Sequence, residues 1–220
     1  KGCMKVGLDR VFITGILPIT ISDMNSGFNI AKWITHESRF INMLGITEEE
    51  MDKLLADIYE NNKHITLPVH EVKDFLKRYY NGYHFSKDAK PVYNPMMVLS
   101  CLDTIINDNH YPEIPVDQNI RIQYNQVTYI FGKNNTGRDK IIKEITDKRK
   151  IKFKITPKRL FNMKDYKSGR FIPDCLYYLG LLTYGKGYNE FTIPNLVTYE
   201  MILSYFEKIM DFETDGMGFD

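Results

Sequence analysis

Three stretches in the first half of the chain place apolar residues at the spacing of an amphipathic helix. In "GITEEEMDKLLADIYENN" apolar residues recur three and four positions apart, and Thr47 with Glu50 matches a capping box. Residues 69 to 81 repeat the spacing and stop at an Asn-Gly pair, a typical C-terminal signal. "YNPMMVLSCLDTII" begins a third helix with Pro95 in its first turn. This part of the chain is therefore predicted to be helical.

The second half mixes helix and strand patterns. "RDKIIKEITDKRK" predicts a basic amphipathic helix, and "FIPDCLYYLGLLTY" predicts a helix that ends at Gly180 and leads into a strand. "YNEFTI" is the expected partner strand, and "VTYEMILSYFEKIM" the closing helix. Pro194 and Asn195, between them, are expected to stop the strand and start the helix. This order indicates a winged-helix-like region over residues 138–220. Four apolar side chains are expected to share its core: Leu176, Leu179, Ile202 and Phe206.

The N-terminal run "VFITGILPI" predicts a short buried strand that ends near Thr14 and Gly15. A hydroxyl at a strand end either stops the strand or lies close to a ligand, as at the strand ends of open α/β sheets. Residues 108–120 contain two prolines and few apolar pairs, and "QVTYIF" at 126–131 could form a strand. Residues 108–137 as a whole are predicted to form a linker or long loop. The expected organisation is thus 1–107, then 108–137, then 138–220.

Composition limits the function classes. The 220 residues are 43% hydrophobic, enough for a real core, and the formal net charge of +1 implies no partner. Three cysteines lie far apart without metal-ligand spacing, which argues against zinc and against a disulfide framework and fits a cytoplasmic location. The longest apolar runs are too short to span a bilayer, so no membrane partner is expected. No metal site is expected either, because the cysteines lack metal-ligand spacing. Both ends look cut, which indicates a fragment of a longer protein.

Residues 138–159 form the most charged stretch of the chain, with ten Lys or Arg residues against three acids. A strip with this excess of positive charge either follows a phosphate backbone or forms the solvated face of a helix and its tail. The sequence leaves both interpretations open.

Seven segments, taken in order, resemble the AAA-ATPase-like domain family, whose members usually precede a PD-(D/E)XK-type nuclease domain. The segments are "VFITGILPI", "SGFNIAKWIT", "F-INMLGITEEEM", "YYNGYHFS", "VYNPMMVLSCL", "LYYLGLLTY" and "FTIPN". The resemblance covers almost the whole chain and is weakest from about 105 to 165. It implies a mainly α fold with minor β structure: a helical lid-type bundle, a winged-helix-like C-terminal half, and a remnant strand of a P-loop ATPase sheet at the N-terminus.

The resemblance also implies a function. The chain would be the part of an AAA-type ATPase that carries the sensor strand and lid, with Thr14 at the sensor position near the γ-phosphate. Arg39 is the candidate arginine donor, against the alternative of a surface arginine. The family's phosphate loop and Walker B acids lie upstream, so ATP and Mg²⁺ would bind in the full-length protein and this chain alone would be inactive. The implied partners are the ATPase core, the nuclease domain and nucleic acid.

A function of a different class remains open. The same residues fit a non-catalytic module, built on the winged-helix-like region, that binds a protein or DNA. A basic face formed by residues 138–159 would favour this alternative.

Overall fold

The computed structural model describes residues 12, 34, 37–113, 136–154 and 172–204. Within these residues the chain is mainly helical and contains a small three-stranded antiparallel sheet, which confirms the predicted fold class at this level. We call residues 37–113 the N-terminal half, and residues 136–154 with 172–204 the C-terminal half. Residues 114–135, most of the predicted linker, lie outside the described residues.

The N-terminal half contains a short 3-10 helix at Ser38–Phe40 and three α-helices. Helix α1 spans Glu48–Asn61, α2 spans Val69–Tyr80 and α3 spans Pro95–Asp108. All three predicted helices are confirmed, because their apolar spacing and terminal signals are local features of the sequence.

The ends of these helices follow the predicted signals. The Glu50 amide donates to the Thr47 hydroxyl at 3.2 Å, and the Thr47 amide donates to the Glu50 carboxylate at 2.8 Å, which completes the capping box. The Asn94 side chain caps α3 by accepting a hydrogen bond from the Met97 amide at 3.2 Å. Helix α3 ends at Asn109, which adopts a left-handed conformation with φ 56°.

The apolar faces of α1, α2 and α3 pack together into one core. Val197, from the C-terminal half, also lies in this core. The buried members are Met51, Leu55, Val72, Leu76, Tyr80, Tyr93, Met97, Val98, Cys101, Leu102, Ile105 and Val197.

The C-terminal half surrounds the sheet with helices. Helix α4 spans Thr136–Lys148, β1 spans Lys150–Lys152 and α5 spans Ile172–Tyr178. Strand β2 spans Thr183–Tyr184, β3 spans Glu190–Thr192, and a final helix, α6, covers 196–204 of the described residues. Strand β3 lies between β1 and β2. The predicted pairing of the β2–β3 hairpin is therefore confirmed, with Thr183 opposite Thr192.

Strand β1 was not predicted. The sequence indicated a continuous helix over 138–150, but Arg149 turns the chain out of α4 with φ 53°, and Lys150 already belongs to the strand. A Lys-Ile-Lys triplet has no strand signal strong enough to stand alone. The strand exists because Ile151 pairs with Phe191, 40 residues later.

The second core lies between this sheet and its helices. Its buried members are Ile145, Ile151, Ile172, Cys175, Leu176, Tyr177, Leu181, Leu182, Phe191 and Ile202. Leu176 and Ile202 share this core and Leu179 packs against it, as predicted. Phe206 lies outside the described residues.

The predicted N-terminal strand lies almost entirely outside the described residues, Thr14 included. Phe12 is described; its side chain is 63% exposed and it adopts no regular secondary structure, so its predicted burial is wrong. Within the described residues, no helix has the length and apolar character needed to cross a membrane.

Candidate functional site

The buried polar side chains of the molecule concentrate where the two halves meet. Five polar or charged side chains are buried among the described residues, and four of them are at this place: Asn81, Thr183, Asn195 and Thr198. Buried polar groups are costly without partners, so such a concentration marks a specific contact. We call the contact between residues 81–84 and residues 183–184 with 194–198 the joint.

One side of the joint connects the end of α2 to the start of α6. The Asn195 side-chain nitrogen donates to the Asn81 backbone carbonyl at 3.0 Å. The Asn195 side-chain oxygen accepts from the Thr198 amide at 3.0 Å and so caps α6. Gly82 has φ +105°, and a Cβ at this position would lie 2.0 Å from the Pro194 carbonyl oxygen. Only glycine fits there without displacing backbone.

The other side of the joint extends the small sheet. The Thr183 hydroxyl accepts from the His84 amide at 2.6 Å and donates to the His84 carbonyl at 2.8 Å. The Tyr184 amide lies 3.4 Å from the same carbonyl. The segment at His84 therefore lies along the edge of β2, and Tyr83 in turn forms an antiparallel bridge with Val92.

Glu48 links the joint to the helices of the N-terminal half. Its carboxylate accepts from the Tyr93 hydroxyl at 2.9 Å, from Lys73 and Lys77 at 3.3 Å each, and from the Asn81 side chain at 3.4 Å. Burial opposes its ionisation, but the hydrogen bonds from Tyr93, Lys77 and Lys73 outweigh burial and lower the pKa of Glu48. The carboxylate is therefore held ionised as a structural acceptor.

The basic stretch of the C-terminal half is solvent-facing. Seven of its Lys and Arg side chains are described and all are exposed: Lys140, Lys143, Lys148, Arg149, Lys150, Lys152 and Lys154. Lys148 pairs with Glu144 at 3.5 Å, Lys150 pairs with Glu190 at 3.3 Å, and the Arg149 guanidinium lies 4.3 Å from the Tyr199 ring centre.

The two predicted site residues are not brought together in the described residues. Thr14 lies outside them. The Arg39 side chain is exposed, pairs with Glu37 at 2.9 Å, and lies 4.6 Å from the Phe40 ring centre. Over the ranges that the structure describes, no group of three or more His, Cys, Asp or Glu side chains could hold a metal ion.

A cleft of about 410 Å³ lies between α1 and α2, with Leu55, Tyr59 and Val69 among its walls. Lys73, at its side, already pairs with Glu48 and Asp52, so this amine is not available to hold a phosphate group.

Comparison with family models, with curated protein sequences and with solved structures found no match.

Two short segments that end or start a helix also form the joint. Asn81-Gly82 predicts a helix end and Pro194-Asn195 predicts a helix start, and both predictions are confirmed. Their second role, contact with each other, depends on pairing across 114 positions, which no local pattern predicts.

Proposed function

We propose that this chain is the helical lid and winged-helix-like part of an AAA-type ATPase. In this proposal it moves as one arm in response to nucleotide bound at an ATPase core elsewhere in a longer protein. One observation carries the proposal: the resembling segments that reach the described residues converge on the joint and on Glu48 beside it. The segments concerned are "GITEEEM", "YYNGYHFS", "VYNP", "LYYLGLLTY" and "FTIPN".

The hydrogen bonds and apolar contacts between the two halves support their movement as one rigid arm. If the halves separated, the hydrogen bonds of Asn81, Thr183 and Asn195 across the joint would be exchanged for bonds to water, at a net cost of about 0.5–1.5 kcal/mol each. Helix α6 adds an apolar connection, because Val197 lies in the N-terminal core and Ile202 in the C-terminal core. Domain closure around a nucleotide needs an arm that keeps its shape while it moves.

The strand order supports the winged-helix-like interpretation of the C-terminal half. Among the described residues, a helix, a strand, a helix and a hairpin occur in this order, and the last strand, β3, takes the central place in the sheet. A closing helix follows the hairpin.

The chemistry of this proposal belongs to the full-length protein. ATP and Mg²⁺ bind there, and hydrolysis depends on positioning and charge stabilisation. From this chain, Thr14 is the proposed sensor of the γ-phosphate and Arg39 the proposed arginine donor. The nuclease domain that accompanies the family is the proposed partner, in nucleic-acid transactions.

A cytoplasmic location goes with this proposal. Cys101 lies in the N-terminal core and Cys175 in the C-terminal core, which keeps these two side chains apart. Burial raises the pKa of the Cys101 thiol to about 11, so it stays protonated near neutral pH.

ATP hydrolysis by the full-length gene product tests the proposal. With Mg²⁺, the full-length protein should release phosphate. Asn195→Ala should lower kcat while leaving the Kd for ATP unchanged, because in this proposal the joint keeps the arm rigid and does not contact ATP. Asn107→Ala, an exposed change on α3, is the matched control. Thr14→Val should also slow hydrolysis more than it weakens ATP binding.

Two results would contradict the proposal. One is a full-length protein that neither binds nor hydrolyses ATP. The other is turnover by this 220-residue chain alone that survives further purification.

A further inference from the structure

We propose that the outer edge of β1 and the tip of the β2–β3 hairpin form a binding face for single-stranded nucleic acid. We call this the lysine face; it consists of Lys150, Lys152, Lys154, Lys186 and Tyr188. The inference goes beyond the proposed ATPase role and does not depend on it.

Three lysines form a row along β1 and the two residues that follow it. Ile151 is buried, and the Phe153 ring lies 4.2 Å from the Phe191 ring centre, so alternate residues face the core. Lys150, Lys152 and Lys154 are exposed between them. Alternate residues in an extended strand lie about 6.6 Å apart, so three amines follow one line. Such a line suits the repeating charge of a phosphate backbone.

The hairpin tip continues this row. The Phe153 amide donates to the Asn189 carbonyl at 2.9 Å, which holds the end of β1 against the tip. Lys186 is exposed in the same turn, and the Tyr188 side chain is 80% exposed. An exposed aromatic ring thus lies in the same turn as Lys186, and the next residue, Asn189, contacts the end of β1. Exposed rings and amines in one region are the combination that stacks bases and neutralises phosphates.

Most lysines of the face have no acidic partner within the described ranges. Glu190 lies opposite Lys152 in the register of β1 and β3, and it forms an ion pair with Lys150. Among the residues that the structure describes, Lys152, Lys154 and Lys186 have no ion pair. Lysines on an edge strand also prevent its pairing with strands of other chains, and this role would explain the lysines of β1 by itself. That role does not account for an aromatic ring exposed at the hairpin tip.

The residues of α5 argue against insertion of this helix into the groove of a DNA duplex. Six of the seven residues described for α5 are buried and none is basic, so this described segment has no basic face to insert. The bases of a duplex are stacked on each other, whereas unpaired bases are free to stack on an exposed ring such as Tyr188. The lysine face therefore fits a single strand better than a duplex.

Fluorescence anisotropy with a labelled single-stranded DNA of about 16 nucleotides, within the usual site size of single-strand-binding folds, tests the proposal. Lys152→Glu/Lys154→Glu should weaken binding at least about tenfold and reduce the slope of log K against log salt by about 1.4, since each contact with a single strand contributes about 0.7. Lys152→Gln/Lys154→Gln should act in the same direction without placing a new acid near Glu190. Tyr188→Ala should weaken binding roughly tenfold with an unchanged salt slope.

Lys53→Glu/Lys63→Glu is the matched control, because it makes the same charge change at exposed positions of the N-terminal half. Its binding should stay within about twofold of the wild type at about 0.15 M salt, where distant exposed charges are screened. The proposal is overturned if the wild type does not bind the strand at low salt, or if the control loses as much affinity as the test variant. It is also overturned if the duplex binds as tightly. If polyglutamate binds as tightly as the single strand, and Tyr188→Ala does not weaken this binding, the face binds an acidic protein instead.

Discussion

The two halves of the molecule are built from different kinds of information. In the N-terminal half, each helix begins and ends at signals within a few residues, such as the Thr47–Glu50 box and the Asn94 cap. In the C-terminal half, the sheet depends on Phe191 meeting Ile151 and Tyr184, the first of which lies 40 positions away. Non-local pairing must overcome more loop-closure entropy than helix formation does. The C-terminal half should therefore depend more on single core contacts.

The halves also treat charge differently. Around α1, the carboxylates of Glu48, Glu49 and Asp52 pair with lysines from other parts of the N-terminal half. On β1 and the hairpin tip, most lysines have no ion pair among the described residues. Paired charge fits a structural role, whereas lysines without an acidic partner in the described ranges leave charge for a binding partner. Four substitutions distinguish the two halves, from the largest expected effect to the smallest.

Phe191→Ala should produce the largest loss of stability. The ring is buried in the centre of the sheet and contacts Phe153, Tyr177 and Tyr184. Removing it should lower the free energy of unfolding by about 3–5 kcal/mol, measured by urea denaturation with circular dichroism. Tyr188→Ala, at an exposed aromatic of the same hairpin, should change it by less than about 0.5 kcal/mol. A loss below about 1 kcal/mol for Phe191→Ala would contradict the dependence on non-local packing.

Gly82→Ala should disrupt the joint. The new Cβ would meet the Pro194 carbonyl, and the positive φ disfavours any side chain, so we expect a loss of about 2–4 kcal/mol. Gly185→Ala is the control, because its Cβ would meet Glu190 side-chain atoms at 3.0 Å, which can move, and the Glu190 carbonyl oxygen at 3.2 Å, where a shift of a few tenths of an ångström suffices. In urea denaturation, the free energy of unfolding should fall more for Gly82→Ala than for Gly185→Ala. Equal small losses would mean that the halves are not held at Gly82.

Thr47→Ala tests a local signal. Loss of the hydroxyl leaves the Glu50 amide without its cap, which should lower the free energy of unfolding by about 1 kcal/mol. Thr47→Ser retains the hydroxyl and should stay within about 0.5 kcal/mol of the wild type. If Ser and Ala behave alike in urea denaturation, the capping box does not stabilise α1.

Glu48→Gln should give the smallest effect, one that depends on pH. Because the folded-state pKa of Glu48 lies below its usual 4.5, its ionised form stabilises the fold above that pH, and this contribution is lost as the pH falls through the lowered pKa. The stability difference between wild type and variant should therefore shrink between about pH 7 and about pH 3. Tyr93→Phe removes one donor to Glu48 and should weaken the same pH dependence. A difference that grows on acidification would contradict this assignment.

Much of this protein is determined by its sequence alone. The three N-terminal helices, the end of α5 before Gly180, the β2–β3 hairpin and the Asn195 cap of α6 follow from apolar periodicity and from capping residues. These signals act over a few residues, so they can be recognised without knowing the rest of the fold. The shared core of Leu176 and Ile202 was also predictable, because each side chain lies on the apolar face of a predicted helix.

Other features are decided only by the tertiary structure. Strand β1 exists because Ile151 meets Phe191, and the joint exists because Thr183 meets His84, 99 positions earlier in the chain. Neither contact has a periodic signature, since each depends on a register set by packing of the two cores. For the same reason, the sequence showed ten basic residues in one stretch but not which of them would lie on a strand edge. Three of those lysines form a row because the sheet turns Ile151 and Phe153 inward.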